Sequence, residues 1–164
     1  MVEEKSLFYK AFDFVIGNEG FYVNNSNDSG EETKWGISKK SFPSLDIKSL
    51  TKEQAKVIYK NGYWKREYDL LSNPNLAIRV FDMGVNSGTF NAEISLQKAI
   101  NHCGGKLTED GDIGSLSLKE ANNCHQGWLL ERFRVERSKY YADCVEERPK
   151  NINFLKGWIF RNYK

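Results

Sequence analysis

Residues 4–38 read EKSLFYKAFDFVIGNEGFYVNNSNDSGEETKWGIS, and the fold turns on how this stretch is divided. In its first half Phe8, Phe12, Val15 and Glu19 fall on one narrow stripe at about 100° per residue, which predicts a helix over 4–19 with Gly20 as its stop. In its second half Asn24, Asn25, Ser26, Asn27, Asp28, Ser29 and Gly30 form a polar, turn-rich run followed by Thr33-Lys34-Trp35-Gly36-Ile37. That pattern suits a short, irregular β-hairpin or an ordered loop over 21–38.

Outward from there the pattern is helical. Thr51-Lys52-Glu53-Gln54 fits a capping box, opening a helix whose inward stripe is Ala55, Ile58, Tyr59, Gly62 and Tyr63. A third helix is expected over 75–87, with Ala77, Val80, Phe81, Gly84 and Val85 inward and Gly88 as its stop. A fourth spans about 90–102 and ends at Gly104-Gly105. The turn Asp110-Gly111-Asp112-Ile113-Gly114 leads into a helix near 115–123. A long helix at about 127–146 carries Leu129, Phe133, Tyr140 and Cys144 on one stripe, Pro149 breaks it, and Phe154, Leu155, Trp158 and Ile159 suggest a last helix packing back. The fold class is therefore mainly α (α+β), with one small β-hairpin near residues 21–38.

Composition narrows the function. The chain has 164 residues, 40% of them hydrophobic and 28% charged, which is room for one domain or two small lobes and too apolar for disorder. A net charge of +2, from 24 basic and 22 acidic residues, excludes a strong nucleic-acid footprint. No apolar run approaches the ~20 residues of a membrane span. Lys10 and Asp13 interrupt what would have to be the apolar region of a signal peptide. The odd cysteine count of 3, without an export signal, suggests reduced thiols in a cytoplasm and not a disulfide frame.

Glu19 is the most informative position for chemistry. At the end of an apolar stripe its carboxyl loses water, and the negative end of the helix pushes the same way, so its pKa should rise. A carboxylic acid still protonated near neutral pH is what protonation of a leaving oxygen requires. The alternative is a glutamate that bends into solvent from the last helical turn. Asp28, in the solvated turn, should stay ionised, where it can order a water or stabilise positive charge on a sugar ring, and Thr33 can hold that water. As ordinary structure, Asp28 is an Asx-turn residue and Thr33 a strand residue.

Other constellations are weaker. Asn25, Asn27, Ser29 and Gly30 echo a calcium loop, but Gly36 stands where the closing Glu belongs, which rejects an EF-hand. His102-Cys103 and Cys124-His125 lack the spacing of a paired zinc site, so no metal is expected. Tyr22, Trp35, Tyr63 and Trp64 are candidates for stacking on sugar faces, with core packing the alternative. Asp82 and Asn86, four apart on one helix face, either point together at a substrate or form a surface pair or helix-end cap. Arg132, Arg134, Arg137 and Lys139 read as a solvated face partnered by Glu131 and Glu136.

The order of motifs carries more than any single spacing. Glu19-Gly20-Phe21-Tyr22-Val23-Asn24, Asn27-Asp28-Ser29-Gly30 and Thr33-Lys34-Trp35-Gly36-Ile37-Ser38 together resemble the opening of glycoside hydrolase family 108, lysozyme-like N-acetylmuramidases common among phage and prophage endolysins. Thr51 to Trp64 and Phe81-Asp82-Met83-Gly84-Val85-Asn86-Ser87-Gly88 resemble its next two blocks. The second half is similar to the helical peptidoglycan-binding region that follows in that family, through Leu96-Gln97, Asp110-Gly111 with Ile113-Gly114, Arg137 with Tyr140-Tyr141, and Phe154-Leu155-Lys156-Gly157-Trp158 with Arg161.

The resemblance implies a lysozyme-like helical fold, a catalytic part over 1–88 and a peptidoglycan-binding-like part over 89–164, packed together as one compact unit. It implies Glu19 as catalytic acid with Asp28 and Thr33 as partners, and it leans to inversion, although the separation of the two carboxyls decides between inverting and retaining outcomes. Tyr22, Trp35, Tyr63, Asp82 and Asn86 are the substrate-binding candidates. The expected substrate is the glycan strand of peptidoglycan, cut at the β-1,4 bond after N-acetylmuramic acid without a cofactor. A non-catalytic wall-binding protein and a chitinase-like glycosidase are the alternatives. Lacking a signal peptide, such a protein would be made in the cytoplasm and reach the wall by holin-type or other non-Sec release, with no membrane insertion. The chain departs from the family pattern at Phe21 (usually Gly), at Ser29-Gly30-Glu31 (usually Pro-Gly-Gly) and at Lys34 (usually Asn).

Overall fold

The computed structural model describes residues 6–17, 22–24 and 32–164, with 22–24 as backbone alone. The chain divides into two compact units, Met1–Trp64 and Lys65–Lys164.

The first unit opens with helix α1, Leu7–Ile16, whose buried residues Phe8, Ala11, Phe12 and Val15 follow the i, i+3, i+4, i+7 rule of a core-facing face. The helix closes at Gly17, whose N–H is donated to the Asp13 carbonyl at 3.0 Å. It is thus shorter than the expected 4–19. Glu19 and Gly20 lie outside the described residues.

Strands β1 (Tyr22–Asn24), β2 (Glu32–Lys34) and β3 (Ile37–Ser38) form an antiparallel sheet in the order β1-β2-β3, one strand more than a simple hairpin. Its register pairs Val23 with Thr33 and Thr33 with Ser38. Helix α2, Lys52–Gly62, starts on the expected capping box: the Thr51 side chain accepts from the Gln54 N–H at 3.2 Å, and the Thr51 N–H is donated to Gln54 Oε1 at 2.9 Å. It packs on α1 through the edge-on pair Phe12–Tyr59, and Trp64 just beyond its end packs likewise on Phe8, both at 5.5 Å between ring centroids. Of the stripe expected to face inward, Ala55 and Tyr59 are buried, Ile58 and Tyr63 are half-buried, and Gly62 is exposed.

The second unit is helical among its described residues. A 3₁₀ turn, Arg66–Leu70, precedes α3 (Pro74–Ser87), α4 (Thr89–His102), α5 (Ser115–Asn123), α6 (Gln126–Glu147) and α7 (Ile152–Tyr163). Asn73 caps α3 by accepting the N–H groups of Asn75 and Leu76, with Pro74 at the first helical position. Gly88 ends α3 and starts α4 with φ +88°, a conformation that favours glycine. Residue 88, the expected boundary between two parts, is therefore a corner between two helices of one unit. The core of this unit is Leu76, Val80, Phe81, Leu96, Ile100 and Phe133, all without exposed surface, each worth about 1.5–3 kcal/mol of transfer free energy.

Two sequence expectations change here. The α6 face carrying Arg137 and Glu136 is not solvated: Arg137 is fully buried and Glu136 nearly so. The last helix does pack back, but Phe154 is exposed and Leu155, Trp158 and Ile159 are half-buried. Its fully buried residue is polar: Asn162 donates to the Arg134 carbonyl at 2.8 Å and to Ser138 Oγ at 3.0 Å. Together these mean that α6 and α7 are joined by buried polar groups where an apolar stripe alone was expected, and Asn162 Oδ1 itself finds no partner among the described residues.

Candidate functional site

The sheet of the first unit presents Thr33 at the centre of β2, half-buried and flanked by Val23 and Ser38. Beyond it, β2 and β3 are joined by the two-residue turn Trp35-Gly36, both residues with positive φ, +54° and +76°. This is the backbone of a type I′ hairpin, whose twist matches the flanking strands. Glycine takes that conformation freely, but a tryptophan pays a steric penalty there and must be held.

It is held at both ends. The Trp35 indole Nε1 donates to the Leu50 carbonyl at 3.2 Å, and its own carbonyl accepts from the Tyr59 hydroxyl at 3.0 Å. Two lysines extend the same grip on the connection before α2: Lys34 Nζ donates to the Lys48 carbonyl at 2.8 Å and Lys39 Nζ to the Leu45 carbonyl at 2.6 Å. Residues 45–50 are thereby strapped to the hairpin. Lys34, which departs from the family pattern, has a structural task that a short Asn side chain cannot reach across to perform.

Of the sequence-predicted site residues in this unit, Glu19 and Asp28 lie outside the described residues, as does the side chain of Tyr22. Thr33 sits on the sheet beside the Trp35 turn. Tyr63 is half-buried with its ring 5.7 Å from that of Tyr59, whose hydroxyl in turn bonds the Trp35 backbone carbonyl. Trp64, weighed for the same role, is a core residue against Phe8. Tyr59 is the residue that sequence reasoning assigned to the core without its second task, since a hydroxyl bond to a distant turn leaves no mark in helical periodicity.

In the second unit Asp82 has no exposed surface. Its Oδ2 accepts from Arg137 Nη2 at 2.7 Å, and its Oδ1 from Arg161 Nη2 at 2.7 Å and Nε at 2.9 Å. Asn86, exposed one turn on, donates to the Tyr141 hydroxyl at 3.3 Å, and Arg137 Nε donates to that same hydroxyl at 2.6 Å. The two residues do converge on one feature, as their spacing suggests, but that feature is the Arg137–Tyr141 pair of α6. Asp82 as placed is an internal anchor and presents nothing to solvent, because two guanidinium groups occupy its oxygens. A signal for Arg137 was available: it lies four residues after Phe133 and four before Tyr141, on the buried stripe of α6.

The motif fragments of the second half also meet in space. Gln97 is buried and its Nε2 donates to Asp110 Oδ1 at 2.7 Å and to the Asp112 carbonyl at 3.0 Å, while its Oε1 accepts the Gly111 N–H at 2.8 Å. That bond to Gln97, with a smaller one from the Asp112 N–H, holds the Asp110 carboxyl below its ordinary value. Gly111 has φ +72°, which favours glycine, and lies so close under the exposed Phe90 ring that an added Cβ would stand 2.5 Å from it and force the ring to shift. Among the described residues no three His, Cys, Asp or Glu side chains gather as metal ligands, and no helix is long and apolar enough to cross a membrane. The three cysteines are free thiols, and burial pushes that of Cys124 up to about 11.

The chain matches the family model described as glycosyl hydrolase 108 over residues 12–88 and the model described as a predicted peptidoglycan domain over 91–163. The break between the two models falls at the Gly88 corner and not at the division between the compact units. The fold is similar to that of SagA from Brucella abortus, with a TM-score of 0.78 and 25% identity, covering 98% of this chain and 91% of that one. No curated protein sequence matches. The mainly α, lysozyme-like fold and the two matched models define a peptidoglycan-related glycoside hydrolase with a peptidoglycan-binding second part. Residues 12–88 thus resemble the glycosyl hydrolase 108 family, followed in order by the predicted peptidoglycan domain.

Proposed function

We infer that the protein is an N-acetylmuramidase that hydrolyses the β-1,4 bond between N-acetylmuramic acid and N-acetylglucosamine in peptidoglycan glycan strands. Glu19 donates its proton to the glycosidic oxygen as the bond to the anomeric carbon breaks. A water adds to that carbon and releases a proton, so one bond is replaced by two hydroxyls. Asp28 and Thr33 position this water or stabilise the oxocarbenium-like transition state. Trp35 and Tyr63 supply ring faces beside Thr33, and Tyr22 adds a third. Asn86 retains an exposed amide for a substrate contact, whereas Asp82 acts indirectly, by fixing α3 against α6 and α7.

The observation that carries this reading is the glycosyl hydrolase 108 match over residues 12–88, which encloses Glu19, Asp28 and Thr33. The rigid Trp35 turn beside Thr33 supports it, because a held, positive-φ residue next to a proposed reacting group is a common mark of a functional site. The protein acts on the bacterial cell wall, as the two matched models suggest.

The test is muropeptide release from purified peptidoglycan by wild type and Glu19→Gln, with reducing ends identified by mass spectrometry. N-acetylmuramic acid at the new reducing ends, lost in the variant, is the expected result. Reducing-end N-acetylglucosamine, or equal release by both proteins, would overturn the assignment. Absence of release with retention on insoluble wall would instead mark a binding protein.

A further inference from the structure

Within the second unit, Asn91, Ile94, Ser95 and Lys98 on α4 and Glu136, Lys139, Tyr140 and Asp143 on α6 share the i, i+3, i+4, i+7 spacing and line one cavity of about 290 Å³. The helices run antiparallel across it. Asn91 Nδ2 donates to the Tyr140 hydroxyl at 3.2 Å at one end, and His102 Nε2 lies 3.3 Å from Glu136 Oε1 beyond the other. Asp143 therefore stands at the Asn91 end, and Lys98 near the end held by Lys139 and Glu136.

The charges of this groove are incompletely used. Glu136 is nearly fully buried and takes Lys139 Nζ at 2.7 Å. Lys98 and Asp143 are exposed, open on the same cavity, and have no hydrogen-bond or ion-pair partner among the described residues. The groove thus offers a carboxylate at one end and an ammonium at the other, one on each helix and neither with a partner among the described residues. Its apolar surface is small, since Tyr140 already bonds Asn91 and Ile94 is the one aliphatic residue, so it is poorly suited to stacking on a sugar ring.

Resting on the reading of this chain as a peptidoglycan-binding protein, we propose that the α4–α6 groove binds the uncrosslinked peptide stem of peptidoglycan, taking its free ammonium at Asp143 and its carboxylates at Lys98 and Lys139. Of the two polymers in the wall, the peptide is the one that carries both a free amine and free carboxylates. Crosslinking converts that amine to a neutral amide and removes the partner of Asp143. The groove therefore discriminates stems with a free side-chain amine from those whose amine has been acylated as the acceptor of a crosslink.

Calorimetric titration of the full chain with the soluble stem N-acetyl-L-alanyl-γ-D-glutamyl-diaminopimelyl-D-alanine, whose alanyl amine is acylated as it is in the wall, and with the same peptide acetylated also at the side-chain amine, tests this. Acetylation and Asp143→Asn should each weaken binding about three- to fivefold, the scale of a single exposed ion pair. The acetylated peptide should be indifferent to Asp143→Asn, and Lys98→Gln should weaken both peptides alike. Both side chains are exposed and unpartnered, so neither variant threatens the fold. Equal binding of the two peptides, or no binding of either while the chain still sediments with insoluble wall, would overturn the groove and leave wall binding in place. Failure of the wild type to sediment with wall would overturn both.

Discussion

Asp82 and Arg137, 55 positions apart in the chain, meet at 2.7 Å with no exposed surface on either side chain. Arg161 closes on the other oxygen of the same carboxylate, so one acidic residue of α3 ties together α6 and α7. The carboxylate offsets the desolvation of two guanidinium groups, although Arg137 Nη1 finds no partner among the described residues.

Removing that carboxylate leaves Arg137 buried and uncompensated. Asp82→Ala should lose about 3–5 kcal/mol of stability, read as a lower urea midpoint. Asp82→Asn, which keeps the shape without the charge, should fall between. Unchanged midpoints with a selective loss of glycan affinity would instead make Asp82 a substrate ligand.

Trp35 tests the strap beneath the sheet. Trp35→Phe keeps a ring but deletes the donor to the Leu50 carbonyl, at a cost of about 1 kcal/mol. Amide exchange should then quicken across residues 45–50 while α1 and α2 stay protected. Exchange unchanged in that segment would show that the lysine bonds from Lys34 and Lys39 suffice.

Tyr68 and Glu93 make a prediction in alkali. The Tyr68 hydroxyl donates to the buried Glu93 carboxylate at 2.9 Å, and burial first, then that carboxylate, push its ionisation far above the ordinary range. The unfolded chain ionises this tyrosine near about 10 and the folded chain does not. Its contribution to stability is therefore present below that pH and declines as pH rises through it. Ultraviolet titration should show one tyrosine missing from the phenolate signal until unfolding. Tyr68→Phe should cost about 1–3 kcal/mol by leaving a buried carboxylate oxygen short of a donor.

Asp110 makes the opposite prediction in acid. Its folded carboxyl is held low chiefly by Gln97, so its contribution is complete above the unfolded value of about 3.9 and is lost as pH falls through the lower, folded one. The Gly111 amide resonance, reporting the Gln97 contact, should shift in that window. Gln97→Met should raise the Asp110 titration toward its ordinary value; a titration unmoved by that change would assign the shift to the Asx turn alone.

The local grammar of the chain was readable throughout the helical half. Alternation of apolar residues at 3.6-residue spacing located α2 to α7 to within a few residues, and Thr51 with Gln54 marked the start of α2. Gly88 marked the corner after α3 because glycine takes its φ of +88° without strain. The ordered motifs, from Glu19 through Trp35 to Arg161, were enough to place the family. These features depend on neighbours a few positions away, so the residues themselves state them.

The partner of a charge on a buried stripe is another matter. Arg132, Arg134, Arg137 and Lys139 look alike in sequence, yet Arg137 alone of them is fully buried, because Asp82 and the Tyr141 hydroxyl await it there. Trp35 reads as a strand or groove aromatic, and only the carbonyl of Leu50 and the hydroxyl of Tyr59 reveal it as a locked turn. Periodicity records which way a side chain faces. Whether that direction meets solvent, a ligand or an opposite charge is decided by a segment tens of residues distant, and that choice belongs to the tertiary structure.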